Sequence, residues 1–72
     1  MPKRSLTIAG HRTSVSLEDP FWEALGEIAA ARRSSVARLM ATIDRSRPDG
    51  TNLSAAARLY ILDWYRKQVP RP

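Results

Sequence analysis

The sequence predicts a mainly helical fold with one short β-strand that finds its pairing partner in a second copy of the chain. Three observations predict it. In residues 11–18, Thr13, Val15 and Leu17 are apolar or β-branched and alternate with polar Arg12, Ser14 and Ser16. That period of two marks a strand with one dry face and one wet face. Further on, three stretches carry apolar residues at three- and four-residue spacing, the period of amphipathic helices. Finally, the chain has 72 residues, no cysteine and one histidine. Its core is small, and neither disulfides, thiolates nor a lone histidine can staple it, which leaves oligomerisation as the remaining support. A lone strand cannot satisfy its backbone or bury its apolar row. The same strand from a second copy completes a two-stranded antiparallel ribbon, so a homodimer is expected.

Residues 1–10 read as a basic N-terminal arm. Lys3 and Arg4 open it, and Ser5-Leu6-Thr7-Ile8 alternates again, with its apolar residues at even numbers rather than odd. A phase flip forbids one regular strand with one buried face, so a bulge or turn belongs at Ala9-Gly10. The arm either pairs beside the ribbon or hangs loose. No internal repeat or low-complexity tract is evident.

The main domain is expected over residues 11–72, with its strand at 11–18. Asp19 suits a helix N-cap and Pro20 the first helical position, so a first helix is predicted over about 20–32. Phe21, Trp22, Leu25, Ile28 and Ala29 form its apolar stripe, and Glu23 and Glu27 face outward. After a break at Arg32-Arg33-Ser34, Ser35 caps a second helix over 35–46, with Val36, Leu39, Met40 and Ile43 on its apolar face. The segment from Arg47 to Asn52 joins Pro, Asp and Gly in a turn. Thr51 or Asn52 then caps a third helix over 52–68, striped by Leu53, Ala56, Tyr60 and Trp64, and Pro70 and Pro72 end the chain. The dimer core expected from this pattern is Val15, Leu17, Trp22, Leu25, Ile28, Val36, Leu39, Met40 and Ile43.

Charge narrows the function classes. Twelve Lys and Arg against seven Asp and Glu give a net charge of +5, and such an excess in a small body favours a polyanion, nucleic acid being the usual one. Hydrophobic residues at 43% argue against disorder. No apolar run reaches the roughly 18–20 residues that span a bilayer, and no signal-peptide pattern opens the chain, so a cytoplasmic protein without membrane partners is expected. An enzyme is not expected, nor a metal or other cofactor: there is no cysteine, no Gly-rich phosphate loop and no carboxylate pair at catalytic spacing.

A two-stranded ribbon fits the major groove of double-stranded DNA, with Arg12, Ser14 and Ser16 toward the base edges. Arg12 can pair bidentately with guanine, and short serines specify little alone. The same alternation is also what the wetted face of any amphipathic strand shows. Ser35 opens a helix, where free N–H groups and positive dipole collect, and Arg32, Arg33 and Arg38 stand nearby. Lys3 and Arg4 suit phosphate contacts.

The strand, helix, Ser-bearing break and second helix resemble the ribbon-helix-helix DNA-binding fold. More narrowly, residues 4–65 look like its short family with an additional third helix. The likeness is carried by Lys3 to Glu18, Phe21-Trp22, Leu25, Ile43-Asp44-Arg45, Asn52-Leu53-Ser54 and Arg58. The resemblance implies base reading by Arg12, Ser14 and Ser16, a phosphate clamp from the amides of Ser34, Ser35 and Val36, and a homodimer with interlocking second helices. The fold often has a glycine where this chain has Arg33 and a larger apolar residue where it has Ser34. The role expected is sequence-specific DNA binding by a transcriptional regulator.

The alternative is a protein-interaction module, antitoxin-like or docking a partner on the third helix through Tyr60, Trp64 and Tyr65. Little sequence follows that helix, so a wrapping tail is not expected. A monomeric helix-turn-helix fits less well, because Arg47 to Asn52 is longer than that motif's tight turn.

Overall fold

A computed structural model describes residues 3–69; Met1 and Pro2 of the expected arm and residues 70–72, with Pro70 and Pro72, lie outside them. Two strands precede three helices: β1 (Lys3–Ile8), β2 (His11–Ser16), α1 (Asp19–Ala31), α2 (Val36–Ser46) and α3 (Leu53–Gln68). The expected single strand is thus one of two, and residues 3–8 are a strand rather than a loose arm. β1 and β2 pair antiparallel within the chain, from Lys3 opposite Ser16 to Ile8 opposite His11.

The turn between them is Ala9-Gly10, with φ of 52° and 84°. Two positive φ values are what a type I′ turn requires, the form whose twist matches the flanking strands. This explains the phase flip. Across a two-residue turn each even-numbered residue lies opposite an odd-numbered one, and opposed residues share a face. Leu6 and Ile8 therefore join Thr13 and Val15 on the inner face. The backbone partner that β2 needs comes from its own chain.

The core lies between that inner face and the helices. Val15, Leu17, Trp22, Leu25, Ile28, Leu39, Met40 and Ile43 are buried, with Val36 half-buried against them. These are the residues expected to meet across a dimer, and a single chain already covers them. Ile8 from β1 and Leu53, Ala56, Ala57 and Ile61 from α3 complete the cluster. No side-chain polar atom of the described residues is buried without a partner.

Helix starts follow local chemistry. α1 begins one residue early: Glu18 takes the cap position without a side-chain cap bond, and Pro20 falls inside the first turn. Its missing N–H is harmless there, since the first four amides have no helical partner. The Glu18 carboxylate reaches α3 instead, accepting from Nη2 and Nε of Arg58 at 3.0 and 3.2 Å. A backbone amide bond and Arg58 hold this carboxyl below its ordinary value of 4.5. Ser35 Oγ caps α2 by accepting from the Arg38 amide at 3.1 Å, and Asn52 Oδ1, rather than Thr51, caps α3 at the Ala55 amide at 2.8 Å.

Candidate nucleic-acid interface

The hairpin's outer face is wholly polar. Lys3, Ser5 and Thr7 of β1 lie opposite Ser16, Ser14 and Arg12 of β2. All six face away from the core, and only Ser16 is partly covered. Sliding the register by one would turn Ile8 and Val15 outward, so burial of those side chains fixes which face is presented. The side chains of Arg12 and Lys3 make no ion pair or hydrogen bond among the described residues. Six residues per strand span about 20 Å, and two strands about 4.8 Å apart fit a groove about 12 Å wide.

Arg4 is placed differently. It shares the inner face with Val15, and its guanidinium sits 4.9 Å from the centre of the Trp22 ring. Its charge rests on that ring, as a cation–π pair at the rim of the core.

Between α1 and α2 the chain makes a Schellman turn. The Arg33 amide donates to Ala30 O at 3.1 Å and the Ser34 amide to Ala29 O at 2.8 Å. That 5→2 and 6→1 pattern needs a left-handed residue at the first position past the cap. Arg33 supplies it with φ 53°, at the place where the resembling fold often has glycine. The Ser34 amide is consequently committed. Among the described residues, the amides without a protein acceptor at the start of α2 are those of Ser35, Val36 and Ala37, so that of the three amides expected to meet a phosphate Ser34 is already bonded.

Beside this helix start lies an open groove of about 450 Å³ lined by Arg32, Arg33, Ser34, Arg38, Thr42 and Arg45. Arg32, Arg33 and Arg38 were expected near it, and Arg45 is added. Arg32 donates to the Tyr60 hydroxyl, whereas Arg33, Arg38 and Arg45 have no acidic partner among the described residues. The signal for Arg45 was its spacing: Arg38, Thr42 and Arg45 recur at four and three residues, one helical face. An array of unpaired arginines and free amides suits anionic oxygens.

The register also brings out a likeness between the two strands. Lys3-Arg4-Ser5-Leu6-Thr7-Ile8 matches Arg12-Thr13-Ser14-Val15-Ser16-Leu17 position by position in size and polarity, apart from Arg4 against Thr13. Six residues are too few to stand out as a repeat until the pairing puts them side by side.

Comparison with known proteins bears on the whole arrangement. A family model described as a ribbon-helix-helix domain matches residues 1–65. No curated protein and no solved structure gives a significant match. No helix of the described residues is long and apolar enough to cross a membrane.

Proposed function

The chain belongs to the ribbon-helix-helix domain family, and from that premise we propose that it binds double-stranded DNA sequence-specifically, with the hairpin's outer face in the major groove, as a transcriptional regulator. The family is in general one of non-enzymatic DNA-binding regulators. The observation that carries the proposal is the outer face itself: six polar side chains, two of them cationic, backed by a core that forbids any other register. Arg12 supplies the strongest discrimination, because its planar fork matches the two acceptors of guanine. Ser14 and Ser16 add short hydroxyl contacts. The amides of Ser35, Val36 and Ala37, with Arg33, Arg38 and Arg45, hold a backbone phosphate and so fix the ribbon's position.

The homodimer belongs to this proposal, as a contact between two copies of the chain. The outward face of α3 favours such a contact, since Leu59, Leu62 and Val69 are 62%, 54% and 62% exposed along one side. A second copy of this chain is the partner we assign to that stripe, and Leu62→Asp should leave sedimentation reporting only monomers.

The test of function is a binding titration of wild type and Arg12→Ala against a selected duplex and a scrambled one, at several salt concentrations. Affinity should fall steeply with salt, as counterions return to the phosphates. Arg12→Ala should cost roughly 1–3 kcal/mol on the selected duplex and far less on the scrambled one. Equal losses on both would make Arg12 a backbone contact, and salt-insensitive binding would favour the protein-docking reading.

A further inference from the structure

We propose that the pocket between α1 and α3 binds a small aromatic carboxylate, and that its occupation draws Arg32 away from the arginine-lined groove at α2. The second half rests on the DNA-binding reading above, whereas the first stands without it. The pocket measures about 280 Å³ and is lined by Arg32, Tyr60, Asp63, Trp64, Lys67 and Gln68. Tyr60, Asp63, Trp64 and Lys67 recur at three- and four-residue spacing, so α3 presents them on one face. Leu59, Leu62 and Val69 lie on another, and a contact between copies through those three leaves the pocket open.

The side chains fix the class of ligand. Tyr60 and Trp64 are half-buried and packed against the core, so their rings form a firm apolar wall. Arg32, exposed at the end of α1, is tied to that wall by donating to the Tyr60 hydroxyl. It makes no ion pair among the described residues, which leaves the rest of its fork for a carboxylate. Lys67 pairs with Asp63 at 2.8 Å, but both side chains are more than half exposed, and such a pair is weak. Two cations against one carboxylate leave the lining with a net charge of +1, which a single anionic charge neutralises. A cationic ligand would meet Arg32 and Lys67, so the rings are no cage for an ammonium. Ligand pockets commonly run from roughly 300 to 1,000 Å³, and this one, just below that range, suits a single ring.

Arg32 also lines the groove beside α2, together with Arg33, Arg38 and Arg45. One guanidinium therefore borders two sites for anions. A carboxylate seated by Tyr60 fixes that charge on the α3 side and leaves the groove one cation poorer toward a phosphate. The two ligands are then coupled, and each weakens the other by the same factor.

The test follows the indole N–H signals of the full chain by NMR as benzoate, benzamide or acetate is added, with Trp64→Phe assigning the Trp64 signal. Benzoate should shift that signal and leave the Trp22 signal in place, with a dissociation constant on the order of 1 mM, as its small size allows. Benzamide has the ring without the charge and acetate the charge without the ring. Each should bind at least roughly tenfold more weakly. Arg32→Gln, an exposed substitution whose fold a thermal melt checks, should bring benzoate down to the level of benzamide. At saturating benzoate and matched ionic strength, duplex affinity should fall by roughly 2- to 10-fold in wild type, with no such fall in Arg32→Gln. Acetate binding as well as benzoate, a silent Trp64 signal, or benzoate affinity indifferent to Arg32→Gln would overturn the site. Benzoate that binds without altering duplex affinity would overturn the coupling through Arg32. A wild-type chain that binds no duplex at all would instead overturn the DNA-binding reading, while the Trp64 titration still decides the pocket.

Discussion

Two residues hold backbone conformations that their side chains disfavour, Ala9 with φ 52° and Arg33 with φ 53°. A side chain in the left-handed region costs roughly 1–2 kcal/mol. At Ala9 the hairpin turn demands it, and at Arg33 the Schellman turn does. A glycine at 33 would relieve the backbone but remove a cation from the arginine-lined groove. Arg33→Gly should accordingly raise stability in denaturant unfolding by about 0.5–1 kcal/mol, after glycine's larger unfolded-state entropy is set against the strain. It should weaken duplex binding by the same factor for selected and scrambled sequences, since a phosphate contact carries no sequence information. A gain of stability with unchanged affinity would remove Arg33 from the phosphate site.

Glu18 makes a pH prediction at the same scale. Its carboxyl is held low in the fold by a backbone amide and by Arg58, so its stabilising contribution is present above the ordinary value of 4.5. The contribution fades as pH falls below that value and through the lower folded value. Thermal melts from neutral pH into acid should show this decline, and Arg58→Met should make it shallower. Parallel profiles for the two proteins would mean that the ion pair plays no part.

At the scale of elements, the three helices were legible in the sequence to within a residue at either end, because apolar spacing and the caps Ser35 and Asn52 are local signals. Pairing was harder. The phase flip at Ala9-Gly10 located the turn, but the choice between a loose arm and a paired strand depends on Ile8 and Leu6 reaching a core that only the folded chain defines. The first helix starts one residue before the predicted position, at Asp19, with Glu18 in the cap position and its carboxylate paired with Arg58, distant in sequence. The Schellman bond of Ser34, which composition does not reveal, takes one of the three amides expected at α2. The two faces of β2 can be separated by substitution. Val15, 1% exposed, should not tolerate Asp: burying a carboxylate there should unfold the chain or cost several kcal/mol. Ser14→Ala, on the wet face, should stay within about 0.5 kcal/mol of wild type by thermal unfolding. Equal effects would mean that the register is wrong.

On the scale of the whole molecule, the core is complete within one chain, and what remains uncovered divides into separate surfaces. The hairpin's outer face and the arginine-lined groove at α2 are polar and basic, whereas the outward side of α3 is apolar. Under the proposed function, DNA meets the first two and protein the third, as their charge and hydrophobicity suit. The sharpest test is an amide-resolved NMR titration of the isotopically labelled chain with a selected duplex at low salt. Changes should concentrate at Lys3, Ser5, Thr7, Arg12, Ser14 and Ser16 and at Ser35 to Arg38, and should reverse when salt is raised. Changes confined to Leu59, Leu62 and Val69, with the hairpin silent, would contradict the ribbon as the DNA-reading element.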